Sequence, residues 1–510
     1  MAAVRPDAGH PAEDGEGMGG AARFRRGFFF TSAGTVVAVV SLFLETIIAV
    51  RALTTESYGV YVLLVVTVNF LVAAVDFGLQ SAAPALLAGR DPQEQGRVAS
   101  AALTFRAAVL MIVSLALWLG LAVAGRVGAA TETVSLAVYL PLMLCTSSLD
   151  ELLFSLLQGV QAYRQMAAAR IVRSVLRVVL SVVGLYALKL GILALIYSWV
   201  LSFAVSLVLQ YSVLPVAGRF ALRRFAVQWQ VVKGMLRFSF PLYLSTLVWF
   251  ALQRIDVVLL GALAGPASVA FYATAGRLPD ALQRLSDAYV SVYYPTLSAL
   301  LKKNRRHEAR ILVDHSLQLV GFLTAVAALI AVVFGREIMT LVFSERYAVT
   351  SKAFGVLMIA FHVTFSVHLL GYALTAAGFP KRSFAASLVQ ASVNVVGDLA
   401  LIPIFGFVGP AYASLASVYA LAPVAIWLVR RSGLEVTSSP FVKQTVLLLA
   451  YAVGVWWLAP QSVLIRLTIV AAFVVHSLAM STLSPQALTL ILPSRVTRRV
   501  QHSVLSRLQP

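Results

Sequence analysis

The sequence predicts an all-α polytopic membrane protein of about fourteen transmembrane helices: two parallel six-helix bundles followed by two further helices. Three observations predict it. Of 510 residues, 60% are hydrophobic and only 12% are charged, whereas a soluble domain is about a quarter charged. Apolar runs recur along the chain, many near the ~18–20 residues that cross a hydrocarbon core ~30 Å thick. The first half also resembles the second at an offset of roughly 210 to 217 residues.

Taken in order, residues 1–26 open with a polar stretch rich in Gly, Ala, Pro and acid, which reads as a disordered cytoplasmic tail. Arg23, Arg25 and Arg26 precede the first apolar run, which is too long for a signal-peptide core and reads as an uncleaved anchor. The apolar windows center on 28–50, 59–88, 101–124, 133–157, 174–188, 191–215, 238–263, 269–298, 315–334, 354–376, 384–404, 409–429, 441–459 and 463–483. They divide into bundles over 27–237 and 238–431, two additional helices within 432–485 and a basic tail from 486 to 510.

Charge orients these spans. Alternate loops carry Arg90 and Arg97; Arg164, Arg170 and Arg173; Arg219, Arg223, Arg224, Lys233 and Arg237; Lys302, Lys303, Arg305, Arg306 and Arg310; Lys381 and Arg382; and Arg430 and Arg431. The tail adds Arg495, Arg498, Arg499 and Arg507, while the opposite loops hold little beyond Arg51, Arg126, Lys189, Arg336 and Arg346. Basic loops stay inside, so both termini are cytoplasmic, as an even number of spans requires. This distribution also explains the net charge of +19 without nucleic acid as a partner. The outside loops are all short. The single cysteine, Cys145, sits in an apolar run and allows no intramolecular disulfide. No P-loop, metal-ligand spacing or cofactor motif is present.

Charges inside the spans are the candidate functional residues, because such groups face a protein interior or a wet cavity. In the eighth span Arg277, Asp280, Arg284 and Asp287 share one helix face, extended by Ser291 and Tyr294. In the second span Asn69, Asp76 and Gln80 share a face and fall at the equivalent places of the repeat. Two readings are open: a self-satisfied ladder of i,i+3 and i,i+4 pairs, or paired linings of one cavity. Arg170, Arg173 and Arg177 form a stripe that reads either as a headgroup anchor or as an anion-attracting entrance. Arg51 ends the first span at its outer boundary. Arg254 and Asp256 lie about 200° apart around the seventh span and are not an intrahelical pair. Asp256, with Gln253 on its face, would bind a coupling cation or hold a cationic partner such as Arg51, and Arg254 would face the bundle interior or the headgroups. Glu45 and Asp398 join Asp256 as candidate coupling carboxylates. His362 and His368 read as packing or cavity residues.

Three stretches carry a family pattern: Val50-Arg51-Ala52-Leu53 with Tyr58-Gly59-Val60-Tyr61; Asp256 with Ala270-Phe271-Tyr272-Ala273-Thr274-Ala275; and Leu401-Ile402-Pro403-Ile404-Phe405-Gly406-Phe407-Val408-Gly409-Pro410-Ala411. Over roughly residues 25–435 the chain resembles the polysaccharide-exporter branch of the multidrug/oligosaccharidyl-lipid/polysaccharide exporter superfamily, the Wzx-type flippases. Ala270 replaces the usual Gly, and Asp398 stands where the family often has Asn, beside a retained Asn394. The resemblance implies two six-helix bundles around a cavity that carries an undecaprenyl-diphosphate-linked glycan between leaflets of a bacterial inner membrane. Membrane lipids would be partners, together with a polysaccharide polymerase or glycosyltransferases, and no cofactor is implied. A diphosphate suits planar Arg donors, so Arg51, Asn69, Asp76, Gln80, Arg173, Arg177, Arg254, Arg277, Arg284 and Ser291 are the candidate substrate-binding residues. The rival readings are a cation-coupled exporter of small molecules, a glycan polymerase or ligase, and a scaffold without transport. An enzyme of the polymerase class would want a large outer loop, and a scaffold would have no use for the paired polar stripes.

Overall fold

A computed structural model describes residues 14–87, 90–126, 135–213, 229–459, 461–480, 482–484 and 487. Arg219, Arg223, Arg224, the tail arginines from Arg495 onward and residues 1–13 lie outside the described residues. Within them the chain is all-α, and ten segments are long and apolar enough to cross a membrane. The helices are α1 (Asp14–Ala52), α2 (Thr55–Ala74), α3 (Leu79–Leu87), α4 (Pro92–Arg126), α5 (Leu140–Gly159), α6 (Tyr163–Val182), α7 (Ile192–Val213), α8 (Trp229–Lys302), α9 (Arg306–Val342), α10 (Ser351–Ala376), α11 (Pro380–Phe405), α12 (Gly409–Arg431), α13 (Ser439–Leu458) and α14 (Val463–Ala479). Apart from the second, each of the fourteen apolar windows read from the sequence overlaps a helix or a helix arm of the described residues.

Three boundaries differ from the sequence reading. Helix α1 reaches back to Asp14, through a stretch whose composition suggests a tail. Helix α6 begins at Tyr163, so Arg164, Arg170 and Arg173 are helical residues rather than loop residues. The second window is not one helix. It breaks between α2 and α3, where Phe77 and Gly78 take φ of 50° and 78°. A left-handed conformation at two successive residues cannot continue a right-handed helix.

Helix α8 is the reverse case, two spans joined without a loop. Gly265, at φ 80° and ψ 171°, breaks it. The Tyr272 hydroxyl lies 2.6 Å from Asp256 Oδ2. Sixteen residues of continuous helix would hold them ~24 Å apart. The chain therefore reverses as a hairpin at Gly265-Pro266, dividing α8 into a first arm, 229–264, whose part from 250 onward folds back on the second arm, 266–302.

The chain divides into two compact units, Met1–Ile48 with Thr67–Trp249, and Ala49–Val66 with Phe250–Pro510. Each has its own apolar core. In the first unit Leu79, Leu87, Val98, Leu103, Leu152, Leu156 and Met235 pack together; in the second, Tyr293, Leu297, Val313, Leu317, Phe361, Leu370 and Phe441 do so. The division runs through helices. The end of α1 and the start of α2 belong with the second unit, and the first part of α8 belongs with the first. There the Ser239 hydroxyl donates to Phe77 O at 2.9 Å and the Tyr243 hydroxyl to Ala74 O at 2.7 Å, so α8 satisfies carbonyls left open by the α2–α3 break. In the second unit α13 docks on α9 through buried polar groups. Gln444 Nε2 donates to Gln318 O at 3.1 Å, and His362 lies between the Thr324 and Thr445 hydroxyls at 2.9 and 3.0 Å. These contacts make His362 a packing histidine.

Candidate functional site

In the first unit the intramembrane charges are paired. Arg106 on α4, fully buried, donates to Asp76 Oδ1 at 2.5 Å, to Asp76 O at 3.2 Å and to Ser148 Oγ at 2.8 Å. Asp76 Oδ1 also accepts the Gln80 backbone N–H at 3.3 Å, so this carboxylate caps α3 and fixes the break in the second span. Gln80 gives its amide to Glu151 Oε2 at 2.7 Å, and Asn69 is half-buried on α2. Of the Asn69–Asp76–Gln80 stripe, Asp76 and Gln80 thus have partners within the unit.

The arginine stripe of α6 is equally engaged. Arg173 pairs with Asp150, whose other oxygen takes the Gln210 amide at 2.6 Å, and Arg177 Nε donates to Glu45 at 2.9 Å. Arg170 donates to Thr35 Oγ1 at 3.0 Å. Each guanidinium also stacks on a ring supplied by α5 or α7: Arg170 on Phe154, Arg173 on Phe203 and Arg177 on Trp199, at 4.3, 4.5 and 4.2 Å. Partners on both sides hold three like charges on one helix face.

The second unit is different. Along the second arm of α8, Asp280, Arg284, Asp287 and Ser291 are exposed, while Arg277 is partly covered and reaches the Tyr58 hydroxyl at 3.4 Å. No ion pair joins Arg284 to Asp287 among the described residues. Asp280 instead pairs across the hairpin with Arg254 at 4.0 Å, both about half exposed. A charge facing lipid at the bilayer center costs about 2.5–3.5 kcal/mol or more. An open charged face at that depth therefore belongs against water or a polar ligand.

Two further carboxylates, Asp256 and Asp398, lie within electrostatic range of each other. Asp256 accepts from the Tyr272 hydroxyl at 2.6 Å and from the Val257 backbone N–H at 2.8 Å. Tyr272 also lies close to Ser414 and within electrostatic range of Asp398 on α11. Asp398 is completely buried, neither of its oxygens has a hydrogen-bond partner, and it feels the Asp256 charge. Arg51 is not the partner of Asp256; it binds backbone carbonyls at the end of α9. A buried carboxylate without a donor is set up to take a proton or a small cation. Among the described residues no group of three or more His, Cys, Asp or Glu side chains is arranged for a metal ion.

Sequence reasoning passed over Arg106, Asp150 and Glu151, and named Tyr272 only as part of the family pattern. The acidic pair Asp150-Glu151 inside an apolar window was a visible signal. Arg106 also lies inside a window, but its partner depends on which helix packs there, and no periodicity carries that information.

Comparison with known proteins adds four findings. Residues 48–352 match a family model described as polysaccharide biosynthesis protein. A Haloferax volcanii protein named as a probable low-salt glycan biosynthesis flippase, Agl15, is 23% identical over 373 residues, which is 72% of this chain and 75% of that protein. The fold resembles a solved lipid II flippase, MurJ, in an inward closed conformation. Its TM-score is 0.65 at 13% identity, over 89% of this chain and 98% of that one. An inward-facing multidrug transporter of the MATE family scores 0.63 at 16% identity, over 80% and 99% of the two chains. At these identities the structural likeness is one of fold.

Proposed function

The chain belongs to the polysaccharide biosynthesis protein family, and from that premise we propose that it flips a lipid-linked oligosaccharide from the cytoplasmic to the outer leaflet by alternating access. The observation that carries this reading is the exposed charged face of α8, where Arg254, Asp280, Arg284 and Asp287 stand open at membrane depth. A glycan needs hydroxyl-binding side chains and water, and Asp280, Asp287 and Ser291 offer both. A diphosphate needs fixed positive charge where water does not screen it, and Arg284 and Arg254 supply it. The lipid tail can stay in the bilayer, so no enclosing apolar pocket is required.

In the finer reading the cargo is undecaprenyl-diphosphate-linked and the chain is a multi-pass protein of a bacterial inner membrane with both termini cytoplasmic. Glycosyltransferases that build the glycan and a polymerase that extends it are its working partners. Asp256 and Asp398 form the coupling site, exchanging a proton or small cation as the carrier turns over. Arg51, Arg173, Arg177 and Glu45 serve the fold that positions the cavity, and Arg277 acts through Tyr58. Cation-coupled export of a small molecule is the competing reading, and it makes the arginines dispensable.

The test is glycan export in cells that depend on this protein, with its membrane abundance measured alongside. Arg284→Ala abolishes export at normal abundance, Arg284→Lys retains part of it, and Arg277→Ala loses it as well. Normal export by both alanine variants at normal abundance removes the cargo assignment.

A further inference from the structure

Helices α1 and α9 end beside each other, at Ala52 and Val342, and each end leaves carbonyls without partners in its own helix. Arg51 answers this need on α9. Its Nε donates to Phe343 O at 3.1 Å, and its Nη2 to Leu341 O at 2.6 Å and Val342 O at 3.1 Å. Arg346 answers it on α1, donating from Nη1 to Leu53 O at 3.2 Å and from Nη2 to Arg51 O at 3.4 Å. Each guanidinium also sits at the negative end of the other helix's dipole. Two helix ends are therefore capped reciprocally, α9 by Arg51 from the last turn of α1 and α1 by Arg346 from the turn that follows α9.

The segment these caps hold is unusual. Ala49–Val66 belongs with the second unit although the remainder of α1 and of α2 belongs with the first. Its apolar side chains are deeply buried: Ala49 and Val50 are inaccessible, and Tyr58 and Val60 are 1% exposed. The polar fastening is of another kind. Arg51 is exposed, and its acceptors are neutral backbone carbonyls rather than a carboxylate. Water can replace such bonds as the helices part, and no unpaired buried charge is left behind. The ion pairs of Arg106, Arg173 and Arg177 inside the first unit lack that property, because breaking any of them strands a buried carboxylate.

We propose that the reciprocal cap of Arg51 and Arg346 is a releasable latch. While it is formed, the strap 49–66 stays packed in the second unit; when it breaks, the strap leaves and the outer end of α1 becomes accessible from outside. The proposal rests on the alternating-access reading above, and its test reads no cargo.

Cys145→Ala removes the single cysteine, and Ala49→Cys then places one thiol at an inaccessible position beside the latch. Intact cells are treated with a membrane-impermeant maleimide and the labeling rate is measured. With Arg51 and Arg346 in place labeling is slow. In Arg51→Gln with Arg346→Gln it rises about ten-fold or more, because accessibility follows the population of the opened form. Arg51→Lys with Arg346→Lys keeps the charge but loses the multiple donors, and falls between. Equal rates in the parent and the glutamine pair overturn the latch. A second thiol at Ala325, inaccessible within α9, reports whether the fold survives. If it too becomes reactive in the glutamine pair, the lysine pair decides by the same comparison. Loss of export in Arg284→Ala with no change in labeling rejects the latch alone; a ten-fold change with full export in Arg284→Ala rejects the cargo assignment alone.

Discussion

At the residue scale, burial and pairing separate charges that hold the structure from charges free to act. Arg106 is fully buried, and its partner Asp76 fixes the break in the second span. Removing one member of such a pair strands the other, which costs about 3–5 kcal/mol, whereas removing both costs far less. Arg106→Met should therefore lower the melting temperature of the detergent-purified protein sharply, and Arg106→Met with Asp76→Leu should recover most of the loss. A double variant as unstable as the sum of the two singles would mean that the pair does not act as a unit. Asp398 predicts the opposite behavior. Its oxygens have no donors, so Asp398→Asn removes a buried charge and leaves the fold intact or more stable. It should also abolish the dependence of export on the ion gradient. Unchanged gradient dependence in Asp398→Asn, measured as glycan appearing outside while the gradient is collapsed, would exclude Asp398 from coupling.

At the element scale, the glycines report where helices are forced together and where the backbone itself turns. A Cβ built on Gly59 would lie 1.8 Å from the carbonyl oxygen of Pro266, so the start of α2 packs on the α8 turn with no space to give. Gly265 has open space around it, but its φ of 80° costs other L residues about 1–2 kcal/mol. Gly120 has neither constraint. Alanine at these three positions should rank stability in that order: Gly59→Ala severely destabilized, Gly265→Ala mildly so and Gly120→Ala unchanged or slightly improved. Thermal unfolding that finds Gly59→Ala as stable as Gly120→Ala would show that α2 does not approach α8 as described. The elements themselves were legible in the sequence, because a bilayer demands long apolar runs and these stand out from short polar turns. Their interruptions were not. The break at Phe77-Gly78 lies inside an apolar window and is held by Arg106, Ser239 and Tyr243, which come from distant parts of the chain. The α6 boundary was misplaced for a related reason: arginines that look like loop residues are neutralized by Asp150 and Glu45 and shielded by Phe203 and Trp199.

At the scale of the whole molecule, the sequence revealed two repeated halves and a polar stripe in each, but the stripes are used unequally. Asp76 is locked to Arg106, whereas Asp287, at the equivalent place of the repeat, is exposed. Sequence periodicity assigns a residue to a helix face; it does not say whether a neighboring helix answers that face with a countercharge. Orientation is where the sequence argument is strongest and most directly tested. The sequence expects six spans per half, which would place both halves the same way across the membrane, with the loop arginines choosing which way. Reporter fusions after Arg97, Lys233, Arg306 and Arg431 should read cytoplasmic, and fusions at Thr54, Pro266 and Gly406 should read outside. Each outside position lies at a helix break: Thr54 between α1 and α2, Pro266 at the α8 turn, and Gly406 between α11 and α12. Pro266 is the most telling. With no loop between its arms, α8 can present this turn outside only if both arms cross the membrane, and that crossing makes the halves parallel. A cytoplasmic signal at Pro266 would turn the second half over, and the charged face of α8 would no longer belong to a carrier built from two equivalent bundles. A cytoplasmic signal at Thr54 would move the Arg51–Arg346 cap to the inner side, where its release could not open the protein outward.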